Sequence, residues 1–103
     1  MKIIETLSEK IEEEINDAKE YARMALEYRE EYPELAQTLN DLSLEEMGHM
    51  NRLHTAVAGI IEQYRKDKGE PPTAMLAVYD YLHKKQIKHA AEAKNLQAMF
   101  LEK

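Results

Sequence analysis

Glu46 and His49 are a carboxylate and an imidazole that interrupt an apolar helical pattern in the middle of the sequence. They stand three residues apart, so on a helix their side chains leave the same face about one turn apart and can reach one ion. A carboxylate within a helix interface costs free energy unless something neutralises it, and a divalent metal ion does so. The pair therefore predicts metal binding. The surrounding stripe, with alternating spacings of three and four, is Leu39, Leu42, Glu46, His49, Leu53, Ala56 and Ile60.

Another carboxylate, Glu14, lies in a similar stripe nearer the start of the chain. If the two stripes belong to antiparallel helices, Glu14 can face Glu46 and His49. A turn at Tyr32 and Pro33 would, however, place Glu14 about five residues, roughly 7 Å, out of step with Glu46. The members of this stripe are Ile4, Leu7, Ile11, Glu14, Ala18, Tyr21, Ala25 and Tyr28.

Three nearby acids are alternative ligands. Glu20 matches the axial level of Glu46 better than Glu14 does, but it points off the stripe. Asp17 lies close to the stripe, and Glu45 can either ligate an ion or serve as a carboxylate at its entry. Spacing alone leaves the choice among the acids of the first helix open.

Three long helices are expected to position these side chains, at about 3–31, 34–67 and 73–101. Pro33 suits a first helical turn, and Gly69 follows lysines typical of a helix C-terminus. The Pro-Pro pair after Gly69 ends one helix, and Thr73 is expected to cap the next. No segment alternates with period two, so we expect an all-α fold without a sheet.

Composition limits the kinds of site and partner. The 103 residues include no Cys, so a metal must be held by Glu, Asp, His or water, which selects iron, manganese, zinc or magnesium. The net charge is −6, with 15 acids and 6 bases in residues 1–64 and 5 acids and 8 bases in 65–103. Nucleic acid is therefore not an expected partner.

No signal peptide or membrane span is predicted, so we expect a cytoplasmic protein.

One chain offers only part of a two-metal site. The di-metal sites of helical bundles use four Glu and two His, and this chain offers two Glu and one His on the predicted faces. Two chains related by a two-fold axis would supply the whole set. The short break at Pro33 also predicts that the first two helices form an antiparallel hairpin. We therefore expect a homodimer, or a higher homo-oligomer, whose hairpins form a four-helix bundle.

These residues resemble the ferritin-like superfamily of di-iron proteins, most closely its rubrerythrin and encapsulated-ferritin branches. Those families carry a Glu and, seven residues later, a Tyr on helix 1, as Glu14 and Tyr21 do here. They carry Glu-x-x-His on helix 2, as Glu46 and His49 do. The resemblance covers about residues 10–55 and favours Glu14 over Glu20. It implies that Tyr21 hydrogen-bonds a bridging group or a ligating carboxylate.

The last third of the chain departs from the rubrerythrin pattern of a second Glu and a second Glu-x-x-His. Asp80 and His83 form Asp-x-x-His, and His89 with Glu92 is the reversed order. The encapsulated-ferritin branch holds half of the ligands in each chain and builds its site across a dimer, which fits better. The third helix is predicted to be longer than in that branch, and no extension for targeting to a protein compartment is visible after Lys103.

The resemblance and the ligand types predict a di-iron carboxylate protein that oxidises Fe(II) with O₂ or peroxide, in iron handling or oxidative-stress defence. Zinc, manganese or calcium are possible substitutes for iron. Two alternatives remain open. One is a non-catalytic dimeric helical bundle that serves protein interaction, and the other is a bundle that binds zinc or calcium structurally.

The remaining polar residues are expected to lie outside the site. His54 lies five residues after His49, off the stripe, and is predicted to be a surface histidine. His83 and His89 are most simply surface or interface residues. Glu12 and Glu13 are expected to form part of a solvated face.

Overall fold

Three helices, each antiparallel to the one before it, make up the computed structural model, which describes residues 1–102. They are α1 (Lys2–Tyr28), α2 (Pro33–Lys68) and α3 (Thr73–Leu101), and no strand occurs within the described residues. The all-α prediction of a hairpin followed by a third helix is thus confirmed. The first helix ends three residues before its predicted end, and the other boundaries lie within one residue of the expected ones.

The helix ends follow the predicted chemistry with one exception. Pro33 occupies the first position of α2, and Gly69 follows its last residue with φ 84° and donates its N–H to the Arg65 carbonyl at 3.0 Å. A positive φ suits glycine, which has no Cβ to clash. Thr73 does not cap α3, contrary to prediction. It is the first helical residue, and the capping position belongs to Pro72, whose side chain has no polar group.

The core lies along α1, which packs against both other helices. The stripe predicted for α1 straddles the edge of this core. Its members at positions 4, 11, 18 and 25 are buried, whereas those at 7, 14, 21 and 28 are half-buried at the rim. The buried residues of α1 are Ile4, Ser8, Ile11, Ile15, Ala18, Ala22 and Ala25.

The buried face of α2 is rotated from the predicted stripe. Of that stripe only Leu39 is buried, Ala56 is exposed, and the others are half-buried or exposed. Two stripes one residue apart both contain spacings of three and four, so periodicity did not separate them. The predicted stripe therefore lies along the rim of the bundle. The buried residues of α2 are Ala36, Leu39, Asn40, Ser43, Met47 and Met50.

Helix α3 packs within its own chain and runs parallel to α1. The Arg29 guanidinium, one residue beyond α1, donates to the carbonyls of Met99, Phe100 and Glu102 at 3.1, 3.3 and 2.9 Å. Carbonyls at the end of a helix lack partners within the helix, so this contact satisfies them and draws the two C-terminal ends together. Packing in cis leaves the opposite face of α1 and α2 without a covering helix.

A buried hydrogen-bond chain joins all three helices at one level. The Gln97 amide donates to the Ser43 hydroxyl at 2.8 Å, and that hydroxyl donates to the Ala18 carbonyl at 2.6 Å. Ser43 is fully buried and Gln97 nearly so. Because each buried polar group needs its partner, these two hydrogen bonds fix both the rotation and the axial position of α2 against α1.

Removal of the Ser43 hydroxyl is expected to destabilise the fold. Ser43→Ala leaves the buried Gln97 amide without its acceptor, and we expect a loss of about 1–3 kcal/mol in the free energy of unfolding. Urea denaturation followed by circular dichroism measures this loss. The control is Thr55→Ala on the same helix, which removes an exposed hydroxyl bonded to the Asn51 carbonyl at 3.1 Å. A shift within about 0.5 kcal/mol is expected there. Equal effects at the two positions would contradict the prediction.

Candidate metal centre

Glu14 and Glu46 lie at nearly the same level of the hairpin. Glu14 comes fourteen residues before Tyr28, the end of α1, and Glu46 comes thirteen after Pro33, the start of α2. The predicted five-residue offset was wrong because the turn comprises Arg29–Tyr32 and not the two residues at 32 and 33. Because α1 ends earlier than predicted, each α1 residue lies fewer residues from the turn, and Glu14 falls level with Glu46.

Glu14, Glu46 and His49 come together at the rim of the α1–α2 interface. The His49 Nδ1 lies 3.5 Å from the Glu14 Oε2 and 3.7 Å from the Glu46 Oε2. One ligand atom from each residue can be chosen so that all lie within 4.8 Å of one another. Within residues 1–102 this is the only group of three or more His and acidic residues with that property.

The alternative acids do not join this group. Asp17, Glu20 and Glu45 are all exposed. Glu20 matched the level of Glu46 only under the wrong turn position. Tyr21 is half-buried on the same side of α1 as Glu14, and within the described chain its hydroxyl makes no hydrogen bond to another side chain or carbonyl.

The two carboxylates are partly removed from water without a Lys or Arg side chain to neutralise them. The side chains of Glu14 and Glu46 are 24% and 17% exposed, whereas His49 is 53% exposed. Among the described residues no Lys or Arg nitrogen lies within 4 Å of either carboxylate, and His49 is their only ion-pair partner. Two adjacent carboxylates in such a setting repel each other, and a cation relieves this repulsion.

The ligand atoms of the three residues need to move only slightly closer together to bind a single small cation. Metal–ligand bonds of about 2.0–2.2 Å separate neighbouring ligand atoms by roughly 3.0–3.5 Å. Rotation of the Glu14 and His49 side chains can bring the ligand atoms to this separation. Both side chains have room to rotate because they border an open depression that Arg52 and Leu53 also line. Carboxylate oxygen and imidazole nitrogen are ligands that iron, manganese and zinc accept. The three residues therefore fit a metal ion with coordination positions left open toward solvent.

His54 is less exposed than predicted, whereas His89 lies at a helix interface, one of its two predicted settings. His54 is a half-buried residue that stacks on His83 across the α2–α3 seam, with ring centroids 4.5 Å apart, so its assignment to the surface was wrong. His89 contacts the Glu12 Oε2 at 3.0 Å, and Glu12 Oε1 is buried without a partner within the described chain. Glu12 thus joins α1 to α3, whereas Glu13 is exposed as expected.

The setting of His54 favours its neutral form. Burial lowers the pKa of the His54 imidazole below its ordinary value, and the charge that His83 would carry lowers this pKa further. The pattern of the sequence did not reveal this pair, because the α2 stripe was placed one residue away from the face that meets α3.

Comparison of the chain with protein-family models, with curated proteins and with solved structures found no match. The resemblance to the ferritin-like superfamily therefore depends on the residues of α1 and α2 named above. None of the helices in the described part of the chain combines the length and apolar character needed to cross a membrane.

Proposed function

We propose that this chain is a di-iron carboxylate protein that oxidises Fe(II) with O₂ or peroxide, at a site shared across a homodimer. The observation that carries the proposal is the group of Glu14, Glu46 and His49, in which two half-buried carboxylates have His49 and no Lys or Arg as a partner. The same group supports the ferritin-like resemblance, since these residues carry its motifs.

Iron would supply the redox chemistry, and the chain would supply ligands and a partly dry environment. A pair of Fe(II) ions would supply two electrons, one from each ion, which together with two protons from solvent reduce O₂ to hydrogen peroxide or hydrogen peroxide to two waters. Glu14 and Glu46 would bind the ions through oxygen and His49 through nitrogen. The rim position leaves room for the oxidant, because His49 faces the open depression.

The surface area of the single chain supports a dimer. Its accessible surface is 6952 Å², whereas a monomer of 12.0 kDa is expected to expose about 6,000 Å². The excess of about 1,000 Å² is similar to the roughly 800 Å² that each partner buries in a standard interface. An interface over the α1–α2 rim would remove this excess.

The rim that holds the metal group also carries partly exposed apolar residues. Leu42 precedes Glu46 by one helical turn and Leu53 follows His49 by one turn, and both are half-buried. Leu7 and Tyr21 stand seven residues on either side of Glu14 in α1 and are also half-buried. A two-fold axis through this rim would cover the four residues and bring two ligand groups together.

Anaerobic titration with Fe(II), followed by exposure to air, tests the proposed activity. We expect binding to saturate at about one iron per chain, which is two per dimer. Oxidation in air should then be faster than in buffer without protein. A folded chain that binds no iron above background would contradict the proposal and favour the non-catalytic dimer.

Charge placed on the rim is expected to dissociate the dimer. Leu42→Lys puts an ammonium group at the proposed interface, and we expect the mass from sedimentation equilibrium to fall from twice 12.0 kDa to that of one chain. Leu44→Lys is the control, because Leu44 lies on the same helix at 50% exposure and off the rim. A wild-type chain that is monomeric yet binds two irons would contradict the shared site.

A further inference from the structure

We propose that His54, His83 and Gln86 form a second metal site, between α2 and α3, for a divalent late transition metal such as Zn(II). The site lies on the face of α2 that meets α3 and shares no residue with the group of Glu14, Glu46 and His49. It does not depend on the proposed oxidation of iron.

Two imidazole nitrogens approach each other closely between α2 and α3. The His54 Nε2 lies 2.6 Å from the His83 Nδ1. Two nitrogen lone pairs repel at such a separation, so a proton or a cation has to lie between them. A proton gives one hydrogen bond between two neutral rings. A metal ion uses both lone pairs and holds α2 to α3.

The geometry permits a metal after a small movement. Zn–N bonds of about 2.0–2.1 Å at a tetrahedral angle separate the two nitrogens by roughly 3.3 Å, so the rings need to part by about 0.7 Å. Cavities of about 160 Å³ and 200 Å³ adjoin the two rings and provide room for this movement. They also have room for water as a further ligand.

Gln86 offers a third potential ligand atom beside the two imidazoles. Its residue surface is only 5% exposed, and its side-chain amide makes no hydrogen bond within the described part of the chain. It lines both cavities together with His54 and His83. It follows His83 by three residues, so the two side chains share one face of α3. Because it lines the cavities and is not paired with another side chain, its carbonyl oxygen is available to coordinate a metal ion.

The ligand set selects the class of metal. Two neutral nitrogens and one neutral oxygen suit Zn(II), Co(II), Ni(II) or Cu(II) better than Ca(II) or Mg(II), which require several oxygens. No acidic residue lines either cavity within the described residues, and Lys94 borders the larger one. This site therefore differs in preference from the carboxylate-rich group at the rim.

Titration with Co(II), followed by its visible absorption, tests the proposal. The full-length E46Q/H49N variant serves as the host, because it lacks two ligands of the rim group. We expect one Co(II) per chain with the intense bands of a tetrahedral or five-coordinate site, and displacement by Zn(II). Adding His54→Asn or His83→Asn should weaken binding at least tenfold, and Gln86→Leu should weaken it less.

The control is His89→Asn in the same host, since His89 is a half-buried histidine of α3 that pairs with Glu12. Its Co(II) affinity should match that of the host. Circular dichroism establishes that each variant is folded. Co(II) binding that is absent from the folded host, or unchanged by both His54→Asn and His83→Asn, would mean that the pair is only a hydrogen bond between imidazoles. If the wild-type chain does not oxidise iron, the proposed function fails, but the result of the Co(II) titration does not change.

Discussion

The variant that carries both Glu46→Leu and His49→Ala is expected to lose stoichiometric Fe(II) binding while it remains folded. It removes two of the three ligands that each chain contributes, so the anaerobic titration should fall from about one iron per chain to background. The free energy of unfolding should rise by about 0.5–1 kcal/mol. Leucine replaces a half-buried carboxylate with an apolar side chain, and alanine, which replaces His49, has the highest helix propensity of all residues. Iron titration and urea denaturation of the same sample measure the two effects.

The matched control combines Glu45→Leu with Asn51→Ala. Both residues are exposed on α2 and lie outside the group of ligands. Iron binding should keep its wild-type plateau in this control. If the variant at Glu46 and His49 also keeps that plateau, then these residues do not hold the iron, and the proposed function is wrong.

The largest effect on stability is expected from Ile15→Ala. Ile15 is fully buried in the central cluster, which also contains Ile11, Met47 and Ala93. Removal of three carbon atoms leaves a cavity that neighbouring helices fill only in part, so we expect a loss of about 2–5 kcal/mol. The melting temperature should fall on the order of 10–20 °C. Thermal unfolding followed by circular dichroism measures the change.

Ile87→Ala removes the same three carbon atoms from a position that is 56% exposed on α3. Its effect should stay within about 0.5 kcal/mol. A comparable loss at both positions would show that Ile87 is covered in solution, for example by another chain, and would contradict its exposure in the single chain.

Helix type, number and most boundaries could be predicted from local chemistry. Pro33 and Gly69 mark ends that depend on backbone geometry within a few residues. Residues 46 and 49 share a face of α2 simply because they lie three apart. The end of α1 was harder to predict, because residues 29–31 are compatible with helix and the turn depends on how α1 and α2 pack.

The contacts across helices could not be read from spacing. Periodicity identified an apolar stripe on α2. It could not show which of two adjacent stripes faces the core, because that depends on where α3 packs. The stacking of His54 on His83 follows from that rotation. The pairing of Glu12 with His89 likewise depends on the axial position of α3 beside α1. Long-range register is set by packing and by buried bonds such as that from Ser43 to the Ala18 carbonyl.

The backbone of the chain extends over 56 × 18 × 17 Å, so it is about three times as long as it is wide. This shape has a hydrodynamic consequence. A dimer joined along the α1–α2 rim keeps the length and doubles one width, so its frictional ratio falls below that of the single chain. A dimer joined end to end becomes a longer rod, and its frictional ratio rises. Sedimentation velocity can therefore distinguish the two arrangements even though their masses are identical.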